Sequence, residues 1–247
     1  MQLYLSLRSL VLEAQTAPSP TGTEVQVKRM LAGRSARRNN EMNQFLNQKL
    51  ASKIIANITA LPDIEIEIIT EYIGKNEKVL ELGFGNGKLI KELSNLGYSK
   101  LHGLDESSIF VNHLKIDKKN AKICLIEHDF ISWNEGFEVD AIIAFHFFTS
   151  IIDDNIRNIA IEKAFCMLKK NGILIVKSFY DKLDKYIKCV QNDVDVEIFI
   201  PEIEKWKNQL ANFGFSIEKE FYSRINENKI LYIVLRKIKF PLTIAST

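Results

Sequence analysis

The sequence predicts an α/β protein: a seven-stranded, mostly parallel sheet with an antiparallel edge strand and helices on both faces. Three observations carry this. Short apolar runs alternate with stretches of helical periodicity from Lys78 to Phe213, the pattern of repeated strand-helix units. The first run ends in Gly83-Phe84-Gly85-Asn86-Gly87, a turn with glycine at every second position, where the backbone can take positive φ and come close to a ligand. The last two runs, Phe215–Tyr222 and Lys229–Lys237, are joined by the polar turn Asn226-Glu227-Asn228, as in a hairpin, which puts an antiparallel strand at one edge.

The elements follow in order. Residues 1–40 form a leader whose composition is foreign to the rest: it holds five of the eight arginines, and Ala17 to Thr23 reads as an extended or flexible linker. A tag, a fusion or an extension without function is the preferred explanation, and an organelle transit peptide is the other. Residues 41–247 read as one domain. Its first part, residues 41–74, supplies two cover helices: Glu41–Ile58, with apolar residues at Met42, Phe45, Leu46, Leu50 and Ile54, and a second from Asp63 to about Ile73. Strands are expected at Lys78–Leu82, Lys100–Leu104, Lys122–Ile126, Val139–Phe145 and Ile173–Ser178. Helices are expected after Gly87, after Ser107 or Ser108, over Ile156–Leu168 and over Pro201–Phe213. Phe179–Ile200 is the longest stretch without a regular pattern. It is either a cover over an acceptor site or an ordinary surface connection.

Charge and composition narrow the classes. The leader carries six basic and two acidic side chains, and the remaining 207 residues carry 27 basic and 29 acidic ones. The body therefore has no positive excess with which to hold a nucleic-acid backbone. No apolar run reaches the ~18 residues needed to span a bilayer. Cys124, Cys166 and Cys189 show no metal-type spacing, and Cys124 and Cys166 fall in apolar patterns, which predicts buried free thiols in a reducing, cytoplasmic setting. The four histidines form no pairs at ligand spacing, so no metal site is expected.

The glycine turn excludes two familiar phosphate sites. A dinucleotide fingerprint needs glycine at position 88, where Lys88 stands, and a P-loop needs Ser or Thr after Gly87-Lys88, where Leu89 stands. What remains is an acid at the strand end, Glu81, then Gly83, Gly85 and Gly87. Such an acid repels a pyrophosphate and suits a cationic ligand. Asp105 follows Gly87 by 18 residues, at the end of the second strand, and a carboxylate there can accept from two adjacent hydroxyls.

Glu81-Leu82-Gly83-Phe84-Gly85-Asn86-Gly87 together with Asp105 resembles the class I S-adenosylmethionine-dependent methyltransferases, which have a Rossmann-like fold. The resemblance covers roughly residues 60–237. It implies S-adenosyl-L-methionine as cofactor and S-adenosyl-L-homocysteine as product. It places Glu81, Gly83, Phe84, Gly85 and Gly87 around the methionine part, and Asp105 on the ribose. Glu106 goes with that set, although a solvated position is its other reading. Asp129 and Phe130, after the third strand, correspond to the residues that hold the adenine; capping a turn and packing in the core are the alternatives. Phe145 and His146 follow the fourth strand and face the methyl group and acceptor. His146 is a candidate general base or a packing residue. Where many relatives carry a histidine, this chain has Thr149-Ser150. Leu168-Lys169-Lys170-Asn171-Gly172 matches the family's Leu-Lys-Pro-Gly-Gly turn only in part. The expected acceptor is a small molecule, with RNA or protein acceptors and a non-catalytic cofactor-binding partner subunit as the alternatives. The oligomeric state stays open.

Overall fold

The computed structural model describes residues 62–116, 123–133, 136–191, 194–225 and 228–238. The leader and the expected helix Glu41–Ile58 lie outside the described residues. The second cover helix is present as α1, Asp63–Tyr72. The chain then runs β1 (Lys78–Leu82), α2 (Lys88–Asn95), β2 (Lys100–Asp105), α3 (Ser108–Ile116), β3 (Ile123–Glu127), β4 (Val139–Phe145), a 3-10 turn (Phe148–Ser150), α4 (Asp154–Met167) and β5 (Leu168–Phe179). It ends with β6 (Lys185–Gln191), β7 (Val194–Ile200), α5 (Ile203–Asn212), β8 (Phe215–Ile225) and β9 (Asn228–Lys237).

Seven strands form one sheet in the order β3-β2-β1-β4-β5-β9-β8. The first five are parallel to their neighbours, in register Glu81↔Gly103 and Glu81↔Ile143 about β1. β9 runs antiparallel to both β5 and β8, so the antiparallel strand lies one in from the edge and β8 forms the edge itself, with a register shift between Ile217 and Lys219. The strand order reverses between β1 and β4. At that point the connections on either side diverge and leave a crevice beyond the strands' carboxyl ends.

Alternation along the strands feeds two cores, one on each face. Val79, Ala141, Ile143, Ile173 and Ile175 pack under Ile68 and Ile69 of α1, Leu89, Ile90 and Leu93 of α2, and Val111 and Leu114 of α3. Leu80, Leu82, Ile142, Ala144 and Leu174 pack on the other face under Ala160, Ile161, Ala164 and Phe165 of α4 and Trp206 and Leu210 of α5. α4 begins where its N-cap Asp153 accepts from the Asn155 and Ile156 amides.

Three expectations change. Leu168–Lys170 belongs to β5 and does not end the preceding helix; Leu168 pairs with Val139, and the chain bulges before Ile173 pairs with Ala141. Gly172 is required in that bulge, because a Cβ there would stand 2.9 Å from the carbonyl oxygens of Asp140 and Lys169. Phe179–Ile200 is not irregular: β6 and β7 form an antiparallel hairpin, Lys185↔Ile200 to Gln191↔Val194. Val194, Val196 and Ile198 alternate with Asp195 and Glu197, the strand signal of β7, and Tyr186 and Ile187 are exposed while Ile198 and Phe199 turn inward. Cys124 and Cys166 are exposed and do not belong to the core.

Candidate functional site

The glycine turn is held by main-chain bonds. Gly83, Gly85 and Gly87 have φ of 65°, 52° and 69°. The Gly83 amide donates to the Leu104 carbonyl at 2.7 Å, and the Gly87 amide donates to that of Phe84 at 2.9 Å. Gly87 allows no side chain, since a Cβ would lie 2.2 Å from Leu114 Cδ1. The Phe84 side chain is fully buried and packs below Gly103, so Phe84 can offer a ligand its backbone only. α2 has Gly87 as its N-cap, without a side-chain cap. The backbone N–H of Ile90 in its first turn favours the ionised form of the Glu81 carboxylate.

Asp105 ties this turn to β2. Its Oδ2 accepts from the Gly85 amide and its Oδ1 from the Ser107 amide, each at 2.9 Å. Burial pushes its pKa up to about 7, against the pull of those two amides. Glu81 is buried as well and is held well above the usual carboxylate range by desolvation first, then by Asp105 and Glu65. Its Oε2 is buried without a hydrogen-bond partner.

Beside these acids a cleft, partly open to solvent, lies over the carboxyl ends of β2 and β3. Gly83, Leu104 and Asp105 form its floor, and Glu106, Ser107 and Phe110 form one wall. Asp129, Phe130 and Ile131 form the opposite wall, and Phe147 and Ser150–Asp153 close the end. The cleft is mostly apolar with a carboxylate at its base, which suits a flat heteroaromatic ring joined to a sugar. The Asp129 carboxylate accepts from the Ile131 and Ser132 amides and from Ser132 Oγ, so it caps this turn as well as facing the cleft. Phe130 belongs to the core and meets Phe147 edge-on at 5.4 Å. Lys163 of α4 donates to the Ile131 and Trp133 carbonyls and fixes the wall from behind. The closing end is fixed by Arg157, whose buried guanidinium donates to the Ile151 carbonyl at 2.6 Å, pairs with Asp154 and stacks on Phe199 at 3.8 Å.

Phe145 and His146 lie outside the walls of the cleft. Phe145 packs in the core of the α1–α3 face, edge-on to Tyr232 at 6.0 Å. His146 is buried with φ 58°; its amide donates to the Lys177 carbonyl at 2.7 Å and its ring lies 4.6 Å from that of Phe179. Burial, with the nearby Lys177 charge, holds its imidazole well below its ordinary pKa, so it is neutral, and its Nδ1 is buried without a partner. Residues absent from the sequence-based set include Phe110, Phe147 and Ile151–Asp153 in the cleft. Beyond it, Glu65 Oε1 accepts from Lys177 Nζ at 2.5 Å and from the Tyr232 hydroxyl at 3.2 Å, all three buried. A signal for this trio exists: Glu65 shares a helix face with Ile68 and Ile69, and Lys177 is in phase with Ile173 and Ile175. Among the described residues no group of three or more His, Cys, Asp or Glu could hold a metal ion.

Residues 79–172 match the model of the family described as Methyltransferase domain. No curated protein matches the chain. Among solved structures, similarity in fold extends to the glycopeptide N-methyltransferase MtfA complexed with S-adenosyl-L-homocysteine (TM-score 0.60, 11% identity, 70% of this chain and 87% of that one). It extends also to the CcbJ methyltransferase from Streptomyces caelestis (0.61, 11%, 76% and 96%). A third is the N-methyltransferase NodS from Bradyrhizobium japonicum, complexed with S-adenosyl-L-homocysteine (0.56, 14%, 76% and 97%). Residues 79–172 thus match a methyltransferase-domain model, and the described chain shares the Rossmann-like fold of those solved methyltransferases.

Proposed function

We propose that this protein is an S-adenosylmethionine-dependent methyltransferase acting on a small-molecule acceptor, with residues 41–247 as its single catalytic domain. The observation that carries the reading is the pairing of the glycine turn with Asp105 at the floor of the apolar cleft. The residues fit the cofactor. The orphaned Glu81 Oε2 suits an ammonium group. Asp105 keeps lone pairs for hydroxyls beyond the two amides it already accepts from. Phe110, Phe130 and Ile131 suit an adenine ring, with Asp129 at its edge. Two of the similar structures are complexes with S-adenosyl-L-homocysteine.

When bound, the cofactor supplies a methyl group already activated by its sulfonium centre, so the protein's task is alignment and exclusion of water. Glu81 and Asp105 supply negative charge at one end of the cleft. Gly83 at the floor lets the backbone come close, and Phe147 with Ile151 and Ile152 closes the ring end. His146, neutral and facing Phe179, is the candidate proton acceptor on the acceptor side, at the end of β4. The small-molecule reading draws on the slightly acidic body. No helix among the described residues is long and apolar enough to cross a membrane, and a cytoplasmic setting belongs to the proposal.

Calorimetry with S-adenosyl-L-homocysteine tests the cofactor reading, and no measurable binding would sink it. A labelled methyl donor offered with thiols, phenols, amines and tRNA then separates the acceptor classes. Turnover on tRNA alone would overturn the small-molecule reading. Binding without transfer to any of them would favour a non-catalytic partner subunit.

A further inference from the structure

Strand register places Asp105, Phe145, Lys177 and Tyr232 in one line across the carboxyl ends of the sheet, on the face that α1 covers, with Glu81 on the same face two residues deeper. Phe145 pairs with Lys177 and Lys177 with Tyr232 in adjacent strands. The described cleft is lined from β2, β3 and the β4–α4 loop and includes neither Lys177 nor Tyr232. An acceptor that does not share the cleft approaches over β4, β5 and β9, where the line ends in Lys177 and Tyr232, with Glu65 of α1 set against both.

That contact is an odd one for a purely structural role. A buried ion pair is a weak source of stability, because removing both charges from water offsets their attraction. Here one partner comes from a helix that joins the sheet's face through Ile68 and Ile69 and has no side-chain cap at its N-terminus, Pro62. The neighbouring His146 has a buried Nδ1 with no partner. An ammonium and a phenol hydroxyl converge on one carboxylate oxygen, with the Phe145 ring beside the ammonium at 5.7 Å. With Glu65 moved aside, these are two donors with one positive charge in a dry setting. Lys177 balances a single negative charge. Glu81 and Asp105 on the same face of the sheet oppose a dianion such as phosphate.

We propose that Lys177 and Tyr232 are the anion-holding part of the acceptor site, that the acceptor carries a carboxylate, and that Glu65 occupies the place of that carboxylate when α1 is seated. This rests on the methyltransferase reading of the neighbouring cleft. It makes Lys177 and Tyr232 specificity-determining residues and α1 the element that yields to the acceptor.

Glu65→Ala in the full chain supplies the test, since it removes the heavy-atom skeleton of acetate from between Lys177 and Tyr232. Thermal unfolding is followed in sodium acetate, sodium chloride and sodium phosphate at matched ionic strength. Acetate at ten times its Kd should raise the Tm of Glu65→Ala by about 3–6 °C over chloride. It should leave the wild type and the Glu65→Ala/Lys177→Met double variant unmoved. Equal effects of acetate and chloride, an equal gain in the double variant, or an equal gain from phosphate would each overturn the proposal. If Glu65→Ala does not fold, Glu65→Ser vacates the same space and carries the same comparison; no rise there overturns it too. Binding of S-adenosyl-L-homocysteine to the wild-type chain is scored separately, so failure of the cofactor reading and failure of the carboxylate site give different results.

Discussion

The two sides of the crevice are built by different means. On the β1–β2–β3 side the geometry belongs to the main chain: three glycines with positive φ, and the Asp105 carboxylate, which accepts from the amides of Gly85 and Ser107. On the β4–β5–β9 side the geometry belongs to side chains that meet across the fold, with Glu65 112 residues from Lys177 and 167 from Tyr232. The first side leaves two acids without a counter-charge and a cleft beside them. The second is closed, its charges paired. A site made of backbone is fixed in advance and suits a ligand that never changes, whereas a site made of paired side chains can be opened and altered.

The difference can be broken most forcefully at Lys177. Lys177→Met leaves the Glu65 carboxylate buried without its cation and should cost about 3–5 kcal/mol, whereas Glu65→Gln with Lys177→Met should recover most of it. Urea unfolding of the single and double variants checks this, and an additive double variant would mean that the pair is not coupled. Gly87→Ala comes next, at about 3 kcal/mol, because left-handed strain adds to the collision with Leu114. Gly97→Ala, at φ 91° with nothing within 4 Å of a Cβ, should show the strain alone, about 1–2 kcal/mol. Equal losses at the two glycines would remove the packing argument. Asp105→Ala should weaken S-adenosyl-L-homocysteine binding by roughly ten- to a hundredfold in calorimetry, the loss of hydrogen bonds to a charged group; unchanged affinity would rule out its role under the ribose.

The smallest effect is on pH. Asp105 titrates near 7 in the free protein, and hydroxyl donors from a ligand favour its ionised form and lower its pKa. Binding therefore releases a proton below pH 7. Affinity should be level at higher pH and fall by up to about tenfold per unit as pH drops from 7 to 6, with Glu81 adding in the same direction. Affinity that rose towards pH 6 would contradict the assignment of these carboxylates.

The same contrast explains what the sequence could reveal. Positive φ needs glycine and a strand-end acid keeps a fixed spacing, so Glu81, the three glycines and Asp105 could be picked out locally, as could the strands that carry them. Glu65, Lys177 and Tyr232 could not be joined, because each looks ordinary alone and only the sheet's register brings them together. Phe147 and Ile151 escaped because they flank the 3-10 turn on either side, outside any regular period. The β6–β7 hairpin was legible only in its second half: Val194, Val196 and Ile198 alternate with Asp195 and Glu197, whereas Lys185–Gln191 shows no such period. Cys124 illustrates the opposite error: it stands in an apolar strand and turns outward on the edge strand β3.

The register shift in β8 has a consequence for the molecule's behaviour at high concentration. An open sheet ends in unpaired amides and carbonyls that can recruit a strand from another molecule. β8 is such an edge, yet its irregularity between Ile217 and Lys219 breaks the flat pairing line. Glu218, Lys219, Glu220 and Arg224 add charges of both signs along it. An incoming strand would have to match a kinked template and desolvate those charges, so this edge resists growth into larger aggregates while the strand still covers β9.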